Sequence, residues 1–134
     1  MFLAELKPEQ KELFLDLWIC LSKSDGCFDE SEQKIIIEMC REMGVKERID
    51  NRFEFKDALI KIKENITERE KRIILLETAG IVLADGKFSE DEEILIKDIS
   101  EELQIEYDCY NDVIEMVKEL YNVYSKIGKF LSGK

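Results

Sequence analysis

The chain has 134 residues, 45% of them apolar and 38% charged, with 31 acidic side chains against 20 basic ones and a net charge of -11. That is enough length and apolar content for one domain burying about two thirds of its unfolded surface, which excludes a disordered polymer, and no window reaches the roughly 20 uncharged apolar residues of a membrane span. Histidine is absent, which removes Ser-His-Asp and Cys-His catalysis and the usual zinc and di-iron ligand sets, and the negative field repels nucleic acid and anionic lipid.

One proline and six glycines, set among abundant Glu, Lys, Leu and Ile, favour helices over an all-β chain. Residues 1–7 are too short and too acidic for a signal peptide. Pro8 suits a first helical position, and Leu13, Phe14, Leu17, Trp18 and Leu21 recur at helical spacing, which predicts an amphipathic helix over 8–24. A second helix is expected over 30–43, stopped by Gly44. The polar stretch 46–51 has room for one extra turn, and Phe53, Phe55, Ala58, Leu59, Ile62 and Ile66 define a further helix.

A capping box, Thr67-Glu68-Arg69-Glu70, opens the next helix, whose residues from Ile73 to Ala84 are apolar on nearly every side and predict a buried rod. Gly80 within it costs roughly 1 kcal/mol of helix propensity, which predicts a close neighbour, expected over the equivalent Cys20. Another helix is expected over 90–103. Tyr110, Val113, Ile114, Val117, Leu120, Tyr121 and Tyr124 then mark a last long one, with its aromatic residues read as core packing. Residues 128–134 read as a short basic tail. Cys20, Cys27, Cys40 and Cys109 form no CxxC pair and read as free packing thiols in a reducing compartment, so the chain is expected to be cytoplasmic.

Sliding the chain against itself by 60 residues brings 24–45 onto 84–105 without a gap, with 7 of the 22 aligned positions identical: Asp25, Gly26, Phe28, Glu30, Glu32, Ile36 and Glu42 and their counterparts. The apolar positions Ile35, Ile36, Met39, Met43 and Val45 meet Leu95, Ile96, Ile99, Leu103 and Ile105. Tandem duplication is the economical explanation. It predicts a compact all-α bundle of six to seven helices with an internal pseudo-two-fold repeat, one domain over 1–134 with halves near 8–66 and 67–127.

Each copy carries Asp-Gly-x-Phe-x-x-x-Glu, which coincides with positions five to twelve of an EF-hand loop. Positions one and three of that loop, which should offer oxygen ligands, are instead Leu21 and Lys23, or Ile81 and Leu83. The candidate metal ligands are therefore Asp25, Glu32, Asp85 and Glu92, and two carboxylates per loop support at most a weak, water-rich Ca2+ or Mg2+ site. An architectural reading competes with this. Gly26 and Gly86 can end helices in the left-handed conformation, Asp29 and Ser89 are good N-caps, Glu32 and Glu92 complete capping boxes, and Phe28 and Phe88 would enter the core. Eight acids within 85–102 face only Lys87 and Lys97, a local repulsion that a divalent ion, a basic partner or screening salt would relieve.

At these loops, through Ser24-Asp25-Gly26-Cys27-Phe28 with Glu32 and Ala84-Asp85-Gly86-Lys87-Phe88 with Glu92, the sequence resembles the TerB-like family. That helical domain is associated with tellurite-resistance operons and is also found in the cytoplasmic part of a membrane-anchored J-domain co-chaperone. Ser24 departs from the alanine usual there, and 46–72 finds no residue-by-residue match. The resemblance implies a bundle of about seven helices and a stress-response or interaction role rather than an established catalytic activity. It also implies cation binding at Asp25, Glu32, Asp85 and Glu92.

Three function classes follow. The first is a non-catalytic interaction module with a protein partner, modulated by a weakly held Ca2+ or Mg2+. The second is an enzyme using carboxylate acid-base chemistry, which needs a deep pocket around Asp25 or Asp85. The third is a metal-free adaptor, whose mark would be an exposed apolar patch on the order of several hundred square ångströms.

Overall fold

The computed structural model describes residues 2–24, 26, 28–84 and 89–133, and among these the protein is all-α, with six α-helices, one 3-10 turn and no strand. The 3-10 turn is Leu3–Glu5, and the helices are α1 (Pro8–Lys23), α2 (Glu30–Met43), α3 (Phe55–Lys63), α4 (Glu68–Val82), α5 (Glu90–Glu102) and α6 (Tyr107–Leu131). The chain divides into two compact units, residues 1–73 and 74–134, with the boundary falling inside α4. No helix of the described residues is long and apolar enough to cross a membrane.

In the first unit α1 packs chiefly on α3 and also on α2, and α2 meets the 3-10 turn. An amphipathic helix buries one stripe, but α1 buries seven residues in succession, Leu13 to Ile19, which amounts to about two full turns. The helix is enclosed there rather than amphipathic. The residue that makes this possible is Asp16, whose side chain is 0% exposed. Its Oδ1 accepts from Arg48 Nη1 at 2.7 Å and from the Arg52 backbone N–H at 2.9 Å, while Oδ2 accepts from Arg52 Nε at 3.1 Å. Arg48 also donates to the Glu12 carboxylate and backbone carbonyl, both at 3.0 Å. The stretch 46–51 therefore forms no extra helical turn. It is an irregular strap laid across the polar side of α1, tied there by the Arg48 and Arg52 guanidinium groups, with Arg48 Nη1 also donating to the Asp50 carbonyl at 2.7 Å. Phe53 and Ile66 lie just outside α3.

The two N3 residues of α1 and α4 meet directly. Gln10 Oε1 accepts from the Lys7 backbone N–H at 2.9 Å, closing the first turn of α1. The predicted capping box at α4 is present: Glu70 Oε1 accepts from Thr67 N–H at 2.9 Å and Thr67 Oγ1 from Glu70 N–H at 3.2 Å. Gln10 Nε2 then donates to Glu70 Oε1 at 3.1 Å and to the Asn65 carbonyl at 3.0 Å. Both side chains are buried, and among the described residues every buried side-chain nitrogen and oxygen has a hydrogen-bond partner.

In the second unit α5 packs on α6. The neighbour of Gly80 is Tyr121 of α6, whose hydroxyl donates to the Gly80 carbonyl at 2.6 Å and would lie 4.0 Å from an added Cβ. Cys20 belongs to the first unit. Its thiol donates to the Phe53 carbonyl at 3.3 Å, and burial, reinforced by the charges of Glu54 and Asp16, pushes its pKa up. Two expectations for the C-terminal helix are corrected. Residues 128–131 are helical rather than a tail, because one glycine costs only about 1 kcal/mol and a helix already running past it can absorb that. Tyr124 is 50% exposed and is not core.

The ends of α2 and α5 are built alike. Gly44 N–H donates to Arg41 C=O and Val45 N–H to Cys40 C=O; Gln104 N–H donates to Glu101 C=O and Ile105 N–H to Ser100 C=O. Both are Schellman closures, which need a left-handed residue: Gly44 has φ +71° and Gln104 φ +57°. The residues buried in α2, Ile36, Met39, Cys40 and Met43, stand 60 positions before Ile96, Ile99, Ser100 and Leu103, all buried. A side chain at φ > 0 is strained, and that of Gln104 is exposed, so nothing packed is lost by removing it. Gln104→Gly is expected to raise the unfolding free energy by about 0.5–1 kcal/mol, read as a higher urea midpoint at unchanged slope. A lower midpoint would show that the glycine's extra unfolded-state entropy outweighs the strain.

Candidate functional site

The first Asp-Gly loop joins α1 to α2. Gly26 has φ +77°, the left-handed conformation expected at the corner, and its N–H donates to the Lys23 carbonyl at 3.1 Å. Asp29 caps α2: its Oδ1 accepts from Glu32 N–H at 2.9 Å and from the Ser31 hydroxyl at 2.7 Å. The bond from the Glu32 amide, helped by Ser31, holds the Asp29 carboxyl below its usual range. Phe28 is half-buried rather than in the core, with the Lys23 ammonium 5.5 Å from its ring centre and its carbonyl accepting from Gln33 Nε2.

At the second loop Ser89 caps α5 in a reciprocal box: Ser89 Oγ accepts from Glu92 N–H and Glu92 Oε1 from Ser89 N–H, each at 3.2 Å. Of the four candidate metal ligands, Glu32 and Glu92 thus occupy the first turns of α2 and α5, and Glu92 serves the helix end. Asp25 and Asp85, together with Cys27, Gly86 and Phe88, lie outside the described residues. Among the described residues no three carboxylates or thiols gather as a metal-holding group. The first turn of α5 holds Glu90, Asp91, Glu92 and Glu93, placed favourably against the positive end of the helix dipole.

Where α5 meets α6 there is an open pocket of about 320 Å³, lined by Lys97, Ser100, Glu101, Ile105, Tyr107 and Tyr110. Tyr107 and Tyr110 stack with ring centres 6.0 Å apart. The Glu93 carboxylate, hydrogen-bonded to Lys97 and attracting its charge, raises the lysine's pKa, and burial raises that of Tyr110. Both shifts hold protons on their groups, the opposite of what a general base or an amine nucleophile requires.

A different feature stands out on α6. Its inner face buries Tyr110, Val113, Ile114 and Val117, as the periodicity predicts. About a quarter turn around the helix lies a second apolar face that faces solvent. On it Met116 is 53% exposed, Leu120 37%, Val123 49%, Tyr124 50%, Ile127 47%, Phe130 80% and Leu131 76%. Its two aromatic rings alone present roughly 200 Å² or more, and the whole face exceeds what scattered surface side chains explain. The signal was available in the sequence: 116, 120, 123, 127 and 130 alternate spacings of four and three, but the pattern merges with that of the inner face and runs through Gly128.

Compared with known families, the chain matches the model described as Tellurite resistance protein TerB over residues 46–114. The matched stretch holds the second Asp-Gly loop, the strap at 46–51 and α3 to α5, so the connection 46–72, expected to find no match, falls within it, while the first Asp-Gly loop and the exposed face of α6 lie outside it. Comparisons with the curated proteins and with the solved structures find no match.

Proposed function

We propose, from the premise that this chain belongs to the TerB family of tellurite resistance proteins, that it works as a non-catalytic, stress-response interaction module. The observation that carries this reading, in the metal-free form of an adaptor, is the solvent-facing apolar face of α6. In this reading the chain is one domain of two duplicated halves, near 8–66 and 67–127, acting in the cytoplasm on a protein rather than on nucleic acid. The matched caps and Schellman closures of α2 and α5 support the duplication.

Immobilised chain is expected to retain an identifiable protein from the lysate of its host, and Leu120→Asp/Ile127→Asp to lose it while keeping the wild-type melting curve. Equal retention by wild type and variant would overturn the assignment to this face.

A second reading adds a weakly held Ca2+ or Mg2+ at Asp25, Glu32, Asp85 and Glu92, favoured by the four successive acids that open α5. Millimolar Ca2+ or Mg2+ is then expected to raise the melting temperature beyond the effect of sodium chloride at equal ionic strength, since a ligand of the folded state stabilises it by mass action. Identical curves would remove the cation from the proposal.

A further inference from the structure

We infer that the exposed face of α6 pairs with the same face of a second copy of this chain, the two helices running antiparallel. The inference rests on reading α6 as a docking face and names its occupant. Met116, Leu120, Val123, Ile127 and Phe130 follow the four-three spacing of a coiled-coil seam, with 116, 123 and 130 at d positions and 120 and 127 at a positions. All five are exposed, so the seam is open along two heptads.

The charges beside the seam choose its partner and direction. On the edge away from the inner face, the g positions are Glu119 and Lys126, one acid and one base a heptad apart. On the other edge the e positions are Val117, Tyr124 and Leu131, all without charge. In an antiparallel self-pair, Leu120 of one copy layers with Val123 of the other and Met116 with Ile127. The g edges then face each other, so that Glu119 meets Lys126 of the second copy and Lys126 meets its Glu119. The face is its own electrostatic complement in that direction. Parallel pairing would set Glu119 against Tyr124 and Lys126 against Leu131, leaving both charges without an opposite partner. A partner lacking this acid-base order would meet at least one of the two unfavourably.

Equilibrium sedimentation of the purified full chain over a roughly hundredfold concentration range is expected to show the average mass rising from one chain towards two. Val123→Asp should hold the mass at one chain throughout while leaving the helical circular dichroism, and the melting temperature at concentrations too dilute for wild type to pair, unchanged, because the side chain is half exposed. Glu119→Lys alone turns two attractions into two repulsions and should weaken pairing about tenfold, and adding Lys126→Glu should restore it to within about twofold. A one-chain mass at every concentration overturns self-pairing, as does a dimer that Val123→Asp leaves intact. Failure of the double reversal to restore what Glu119→Lys loses overturns the antiparallel direction. None of these results decides whether a host protein binds the face, which the Leu120→Asp/Ile127→Asp comparison measures separately.

Discussion

Replacing Asp16 with alanine is expected to lower the unfolding free energy by about 3 kcal/mol, the largest effect of any single polar substitution in the first unit. The carboxylate is fully buried and accepts from Arg48 and from both the side chain and backbone of Arg52. Removing it leaves two guanidinium groups without their shared partner, in contact with an enclosed helix, and releases the strap from α1. The arginine side chains are 20% and 37% exposed, so part of their charge can return to water, which keeps the loss below that of a wholly buried pair. Asp16→Asn tests the charge separately from the shape, since its amide oxygen can accept one bond but its NH2 faces donors. Both variants should shift the urea midpoint, the asparagine by nearly as much as the alanine. A loss under about 1 kcal/mol for alanine would mean that the strap is held by its own backbone rather than by Asp16.

Glu70→Ala should cost about 2 kcal/mol, because a single oxygen of Glu70 accepts from Thr67 N–H and Gln10 Nε2 with the Lys7 ammonium 3.4 Å away. Burial works to raise its pKa, but the bonds from Thr67 and Gln10 and the Lys7 charge outweigh it, and the carboxyl is held below its ordinary value of 4.5. A carboxylate with a lowered folded-state pKa contributes its full stability above the unfolded value and loses it as the pH falls through the folded one. The deficit of Glu70→Gln relative to wild type should therefore be largest near neutrality and shrink below about pH 4.5. Urea midpoints at successive pH values measure this. A deficit that stays constant into acid would place the contribution in shape rather than in charge.

What the sequence disclosed was local. Asp29 with Glu32, Ser89 with Glu92, Thr67 with Glu70, and Gly44 each signal a helix end through chemistry spanning three or four residues, and the bounds of α2 and the cap of α4 were legible for that reason. What it concealed was non-local. Nothing periodic announces that Arg48 and Arg52 reach back 32 and 36 residues to Asp16, so the amphipathic pattern of α1 gives no sign that this carboxylate is fully enclosed. Residues 128–134 carry the composition of a tail, but the long helix already formed ahead of them continues to Leu131. Gln104 stands 60 positions after Gly44 and closes its helix in the same way, but glutamine carries no turn signal, and its left-handed backbone is visible only in the structure. For the candidate metal site, the sequence identified residue types and spacing. The structure adds that the Glu92 carboxylate completes the α5 cap, while Asp25 and Asp85 fall outside the described residues.

The enclosure of α1 also bears on how the chain is made. At synthesis rates of about 5–20 residues per second, the 36 residues separating Asp16 from Arg52 take roughly 2–7 s to add. Throughout that interval the nascent first helix has its apolar flanks uncovered and an aspartate with no guanidinium to receive it.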